Sequence, residues 1–200
     1  MELLDELRTH RLLAIVRTTD PDTALDLVLT LADCGIRLVE VSLTTPSAFD
    51  VLRKARSALG AGYALGAGTV LTADDAHRAF DAGASYLVTP AVAPSLITAA
   101  ELGLPILAGA LTPSEVVQAH LAGATAVKLF PASVGGPAYL RALRDPFPAV
   151  PFVPVGGVDL AAAREYLSLG AVAVGVGSPL VGDPAQIRSR AAAFLDAVAT

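Results

Sequence analysis

Ala126-Val127-Lys128-Leu129-Phe130-Pro131 decides how this chain is read. Gly123 precedes the run and Pro131 ends it. Such a short apolar run between turn residues reads as a strand buried on both faces. Side chains alternate along a strand, so Val127 and Leu129 point one way and Ala126, Lys128 and Phe130 the other. Lys128 is then a buried amine, and taking an ammonium out of water is costly. The chain has 14 basic residues, of which only Lys54 and Lys128 are lysine. Lys54 lies among Arg53 and Arg56 in a polar helical run and reads as a solvated surface charge. Lys128 requires a different reason.

Working outward, similar runs recur along the chain, each followed by a turn signal and a helical pattern. They are Leu12 to Arg17, Arg37 to Leu43, Ala64 to Val70, Tyr86 to Thr89, Ile106 to Ala110, the Lys128 strand, Phe152 to Val155, and Ala171 to Val176. Helix starts are marked by Asp20-Pro21, Pro46, Thr72, Pro94, Thr112-Pro113-Ser114-Glu115 and Asp159, and a last helix is expected from Pro184 to about Val198. Gly35, Gly83, Gly103, Gly123 and Gly170 stand where helices should stop. Eight alternating strand–helix units imply parallel strands with right-handed crossovers, and eight is the number that closes a (β/α)₈ TIM barrel. An open doubly wound sheet is the rival, but it calls for a glycine-rich turn after the first strand, where Arg17-Thr18-Thr19-Asp20 stands. The expectation is an α/β chain with one barrel domain over residues 1–200, preceded by a short amphipathic N-terminal helix from Met1 to about Arg8.

Composition limits the function. Apolar residues make up 54% and charged residues 16%, which suits a sheet covered on both faces. A formal net charge of −5 gives no support for binding nucleic acid or an anionic membrane. The acidic start is unlike a signal peptide, and no uninterrupted apolar run reaches the roughly 20 residues that span a bilayer. A cytoplasmic protein is expected. The lone cysteine, Cys34, excludes an internal disulfide and reads as a small buried apolar residue. His10, His77 and His120 show no metal-ligand spacing, so no metal is expected.

Barrel enzymes place their chemistry at the C-terminal ends of the strands. In Leu38-Val39-Glu40-Val41-Ser42-Leu43, alternation turns Glu40 and Ser42 into the barrel, as it does Lys128. The pair reads either as a structural buried ion pair or as an amine nucleophile with its acid/base partner. Arg17 reads as a rim charge or as a bidentate anion ligand. Gly156-Gly157 and Gly175 to Ser178 close the last two strands, where barrels often hold phosphate, although they also suit plain tight turns.

On these residues the sequence resembles the class I 2-keto-3-deoxy-6-phosphogluconate (KDPG) aldolases, also described as 4-hydroxy-2-oxoglutarate (KHG) aldolases. The motifs are Leu38-Val39-Glu40-Val41, Gly66-Ala67-Gly68-Thr69-Val70, Val88-Thr89-Pro90, Leu111-Thr112-Pro113-Ser114-Glu115, Val127-Lys128-Leu129-Phe130-Pro131, Phe152-Val153-Pro154-Val155-Gly156-Gly157-Val158 and Gly175-Val176-Gly177-Ser178. The resemblance implies a TIM barrel, a homotrimer, a keto-acid phosphate substrate and no metal or other cofactor. It makes Lys128 the Schiff-base lysine and Glu40 the general acid/base. Arg17 and Thr69 would hold the keto-acid carboxylate, Phe130 and Pro90 would shape the pocket, and Gly156, Gly157 and Ser178 would meet the phosphate. Two positions depart from the KDPG pattern. Thr44 stands where some members carry arginine. Val155 stands where KDPG aldolases usually carry threonine, and valine there resembles the enzymes of the C4 epimer, 2-keto-3-deoxy-6-phosphogalactonate (KDPGal). The other readings are an imine-free phosphate-binding barrel, such as an isomerase or phosphate synthase, and a non-catalytic phosphosugar-binding barrel.

Overall fold

The computed structural model describes residues 2–199; Met1 and Thr200, which the expected domain and N-terminal helix included, lie outside the described residues. The chain opens with α1 (Leu3–His10) and then alternates: β1 (Leu12–Val16), α2 (Pro21–Asp33), β2 (Leu38–Ser42), α3 (Ala48–Leu59), β3 (Ala64–Gly68), α4 (Ala73–Asp81), β4 (Tyr86–Val88) and α5 (Ser95–Glu101). It continues with β5 (Ile106–Ala110), α6 (Pro113–Leu121), β6 (Ala126–Leu129), α7 (Gly136–Arg144), β7 (Phe152–Pro154), α8 (Leu160–Ser168), β8 (Val174–Val176), α9 (Ser178–Val181) and α10 (Ile187–Val198).

All eight strands are parallel. They pair in sequence order from β1 to β7, and β8 pairs with β1. A parallel bridge between Val155 and Gly175 joins the β7 end to β8 and closes the ring, giving the (β/α)₈ barrel. The alternation read from sequence holds. Val127, Leu129, Val39 and Val41 pack outward into the layer between sheet and helices. Ala126, Leu38, Tyr86, Val88, Val153 and Val155 fill the barrel interior. Leu3 and Leu7 of α1 join that interior cluster, so α1 plugs the N-terminal end and leaves the opposite end for a site.

Local signals account for the helix boundaries. Asp20 accepts a hydrogen bond from the Thr23 N–H at 2.7 Å, and Asp159 accepts one from Ala162 at 2.8 Å. Thr72 with Asp75, and Thr112 with Glu115, form reciprocal capping boxes. The five expected stop glycines all take positive φ, from 67° at Gly103 to 92° at Gly35. No helix among the described residues is long and apolar enough to cross a membrane.

Four details differ from the sequence reading. Pro46 does not open α3: Ser47 at φ 52° lies between it and the helix, which starts at Ala48. β8 is shorter than expected, because the Ala171 N–H still bonds back to Tyr166 O as α8 closes. Pro184 to Gln186 form a 3-10 turn, so α10 begins only at Ile187. Cys34 is partly exposed at the end of α2, with its Sγ 4.0 Å from Arg188 Nη1.

Candidate active site

Lys128 and Glu40 come from strands on different sides of the barrel, β6 and β2, and meet inside it. Lys128 is 5% exposed and Glu40 1%. Nζ of Lys128 lies 3.9 Å from Oε1 of Glu40, within ion-pair range but beyond hydrogen-bond length. The second carboxylate oxygen, Oε2, is buried and has no hydrogen-bond partner in the protein. A buried ion pair kept for structure needs short, saturating hydrogen bonds to offset its desolvation. This pair lacks them. Burial pushes the Glu40 carboxyl above the ordinary carboxylate value, opposed first by the charge of Lys128 and then by that of Arg17. The Phe130 ring lies beside the amine, with Nζ 5.2 Å from its centroid.

β3 makes room for the carboxylate. A Cβ at Gly68 would lie 2.6 Å from Glu40 Oε1, so no other residue fits there without moving it. Next to it, Thr69 takes φ 63°, an outlier for a β-branched residue. That conformation sets its hydroxyl 3.0 Å from Ser42 Oγ, which in turn lies 2.8 Å from Thr44 Oγ1. Three hydroxyls therefore cluster at the C-terminal ends of β2 and β3. Across the mouth, a Cβ at Gly109 would collide with the Pro90 carbonyl, so the loop after β4 drops into the barrel opening there. Thr89 holds that loop by donating to Ala91 O at 2.9 Å.

A cavity of about 460 Å³ opens over the ends of β1, β7 and β8. Its lining includes Arg17, Phe130, Val155, Gly156, Gly157 and Ser178. Arg17 and Ser178 are exposed at its rim. Gly156 and Gly157 take φ 96° and 74°, and a Cβ at Gly157 would lie 2.7 Å from Ser133 Cβ. The nine residues singled out from sequence are thus all at this end of the barrel, in two groups. Arg17, Phe130, Gly156, Gly157 and Ser178 line the cavity. Lys128, Glu40, Thr69 and Pro90 lie beside it, with Phe130 and Arg17 as the links.

Sequence reasoning missed the one-turn helix α9 that begins at Ser178 and the placement of Ser133 against Gly157. The signal for α9 was present, since Pro179 stands at a first-turn position. A hollow of about 540 Å³ between α8, α9 and α10 holds no comparable pair; its acid, Asp159, caps α8. His77 and His120 are exposed on helices and His10 pairs with Glu6. Among the described residues, no group of three or more His, Cys, Asp or Glu side chains is placed to share a metal ion.

The closed parallel barrel, with a buried lysine and glutamate at its C-terminal mouth beside a glycine-lined cavity, defines a barrel built for small-molecule chemistry at one end. The family model described as KDPG and KHG aldolase matches residues 3–194, and the chain belongs to that family. A probable 2-dehydro-3-deoxy-6-phosphogalactonate aldolase of Rhizobium meliloti (strain 1021) is 37% identical over 194 residues, covering 93% of this chain and 90% of its own. A 2-dehydro-3-deoxy-phosphogluconate aldolase of Haemophilus influenzae is 32% identical, covering 84% and 80%. The KDPG aldolase of Legionella pneumophila, solved with pyruvate captured at low pH as a covalent carbinolamine intermediate, superimposes with a TM-score of 0.86 at 27% identity, covering 99% and 97%.

Proposed function

We propose that this protein is a Schiff-base aldolase that splits 2-keto-3-deoxy-6-phosphogluconate, or its C4 epimer, into pyruvate and D-glyceraldehyde 3-phosphate. The same site would cleave 4-hydroxy-2-oxoglutarate to pyruvate and glyoxylate. The observation that carries the reading is the buried pair, Lys128 Nζ 3.9 Å from Glu40 Oε1, left without saturating hydrogen bonds at the barrel mouth.

In the proposed mechanism the neutral amine of Lys128 attacks the C2 ketone and forms a carbinolamine. Glu40 delivers the proton with which the C2 hydroxyl leaves as water, and an iminium remains. Glu40, now ionised, takes the proton of the C4 hydroxyl. The C3–C4 bond breaks, its electron pair moves into an enamine on Lys128, and the aldehyde departs. Protonation at C3 and addition of water to the iminium release pyruvate and restore the amine. The scheme uses no resident metal. Arg17 and Thr69 hold the substrate carboxylate, Phe130 and Pro90 enclose the reacting carbons, and Gly156, Gly157 and Ser178 receive the phosphate. Val155 and the Rhizobium meliloti relative favour KDPGal as the second substrate reading.

The reading also carries a homotrimeric, cytoplasmic assembly of one-domain chains. Among the described residues the exposed large apolar side chains are Leu71, Phe80, Val92, Ile97, Val117, Leu121 and Val134, all in the β3–β6 half of the barrel. A one-sided apolar surface of this kind suits association between copies.

Borohydride trapping with pyruvate, followed by peptide mass mapping, tests the chemistry. A reduced pyruvyl adduct on Lys128 is expected. Folded protein that gains no adduct would remove the aldolase reading and favour an imine-free barrel.

A further inference from the structure

Tyr86 occupies the barrel interior at the level of the candidate acid/base. The register aligns Glu40 on β2 with Gly66 on β3, and Gly66 with Tyr86 on β4. A Cβ at Gly66 would collide with the Tyr86 ring, so the ring lies across β3, towards β2. The next inward position on β3, Gly68, carries the Glu40 carboxylate in the same way. Two glycines thus clear a strip over which a phenol and a carboxylate approach from opposite sides.

Both groups are left incomplete. Tyr86 is 1% exposed, and its hydroxyl, like Glu40 Oε2, has no hydrogen-bond partner in the protein. Buried polar atoms are almost always satisfied, by protein or by ordered water, and a buried water needs at least two polar partners. Here a buried donor and a buried acceptor stand on one cleared strip. Burial, and then the Glu40 charge, pushes the Tyr86 hydroxyl well above its ordinary pKa, so the phenol keeps its proton and remains a donor.

We propose that one water bridges the Tyr86 hydroxyl and Glu40 Oε2, and that through it Tyr86 acts as a positioning residue for that carboxylate. The link fixes Oε2 and leaves Oε1, on the Lys128 side, for proton transfer. The other ionisable groups facing Glu40 are Lys128 from β6 and Arg17 beyond β1, while Tyr86 faces Glu40 and Tyr63. A donor to the carboxylate favours its charged form, so removing it raises the pKa of Glu40.

Tyr86→Phe removes one oxygen and keeps the ring. The first readout is the pH titration of the Glu40 side-chain carboxyl by carbon-13 NMR, assigned with Glu40→Gln. The midpoint is expected to rise by about 0.5–1 pH unit in Tyr86→Phe. Incorporation of 3-fluorotyrosine at position 86, which strengthens the donor, is expected to lower it, and this second variant keeps the hydroxyl should the first fail to fold. The kinetic readout rests on the aldolase reading: kcat falls about 5- to 20-fold with KM unchanged, and the acid limb of kcat/KM moves with the NMR midpoint. An unchanged midpoint in both variants overturns the link and leaves Tyr86 as interior packing. Turnover retained in Lys128→Arg would overturn the aldolase reading instead, with the carboxyl titration still reporting on the link.

Discussion

At one end of the candidate site, Lys128 and Glu40 are 5% and 1% exposed and lie 3.9 Å apart inside the barrel, reaching in from strands on different sides of it. At the other end, Arg17, Gly157 and Ser178 are exposed around a cavity of about 460 Å³. The first end is made of charged side chains held in apolar strands. The second is made largely of backbone, with one long cation at its rim. Under the proposed function the difference matches what each end would do. Covalent chemistry needs a nucleophile and a proton carrier in a dry, fixed geometry, and only buried side chains supply that. Gripping an anion that must enter and leave needs donors that a close approach exposes, and glycine backbone supplies those. On this contrast, changes at the buried end should act on kcat and changes at the open end on KM.

Lys128→Arg gives the largest expected effect. A guanidinium stays protonated and forms no imine, so turnover should fall by roughly 10⁴- to 10⁶-fold, with borohydride trapping lost. Steady-state assays of pyruvate release check this. Residual turnover above that range would break the contrast, because the buried end would then not be the reacting end. Glu40→Gln keeps the shape and removes the proton carrier, and kcat should fall about 10²- to 10⁴-fold. The wild-type acid limb should lie above the ordinary glutamate value of 4.5, because burial raises the Glu40 pKa more than Lys128 and Arg17 lower it. A limb at or below that value would show that burial does not outweigh the Lys128 and Arg17 charges during turnover.

The fold and the buried end were legible for the same reason. Lys128 and Glu40 each interrupt an apolar alternation, and a charge in such a place is conspicuous without any alignment. Asp20, Thr72, Thr112 and Asp159 announced their helices because capping is local chemistry. The open end was less distinct: its glycines also mark ordinary turns, and Arg17 reads equally as a rim charge. Helix α9 and the short β8 escaped because both depend on how α8 closes and how the chain re-enters the barrel. Tyr86 escaped for another reason: an inward aromatic on a strand looks like packing, and its approach to Glu40 exists only because Gly66 lies between them in register.

The open end is tested by changes that spare the imine. Gly157→Ala places a Cβ 2.7 Å from that of Ser133 in a residue at φ 74°. It should cost about 1–2 kcal/mol of stability, read by denaturant unfolding, and should raise KM for the phosphorylated substrate about 10- to 100-fold. Pyruvate trapping on Lys128 should persist. If trapping fails in folded protein, the two ends are not separable. Arg17→Ala should raise KM about 10-fold at low salt and less at high salt, since an exposed charge is screened. Its removal also takes a positive charge from the neighbourhood of Glu40, so the acid limb should move up.

The smallest expected effect is the one that bears on substrate choice. Val155 is 4% exposed and lines the cavity at the junction of the two ends. Its Cγ2 would lie 2.5 Å from a Cβ at Gly175, so the glycine on β8 leaves the space that the valine fills. Val155→Thr changes the volume little and adds a buried hydroxyl, which must find a partner. Under the proposed function the bound substrate, whose C4 epimers differ only in where one hydroxyl points, would supply that partner. An apolar wall discriminates poorly between such isomers, whereas a hydroxyl that bonds one of them leaves itself unpaired with the other. The wild type should therefore accept both epimers with similar kcat/KM, and Val155→Thr should shift the ratio towards KDPG by about 3- to 30-fold. Paired kcat/KM measurements on the two epimers decide it. An unchanged ratio would place C4 recognition away from Val155, with the Ser42, Thr44 and Thr69 hydroxyls at the ends of β2 and β3 as the next groups to change.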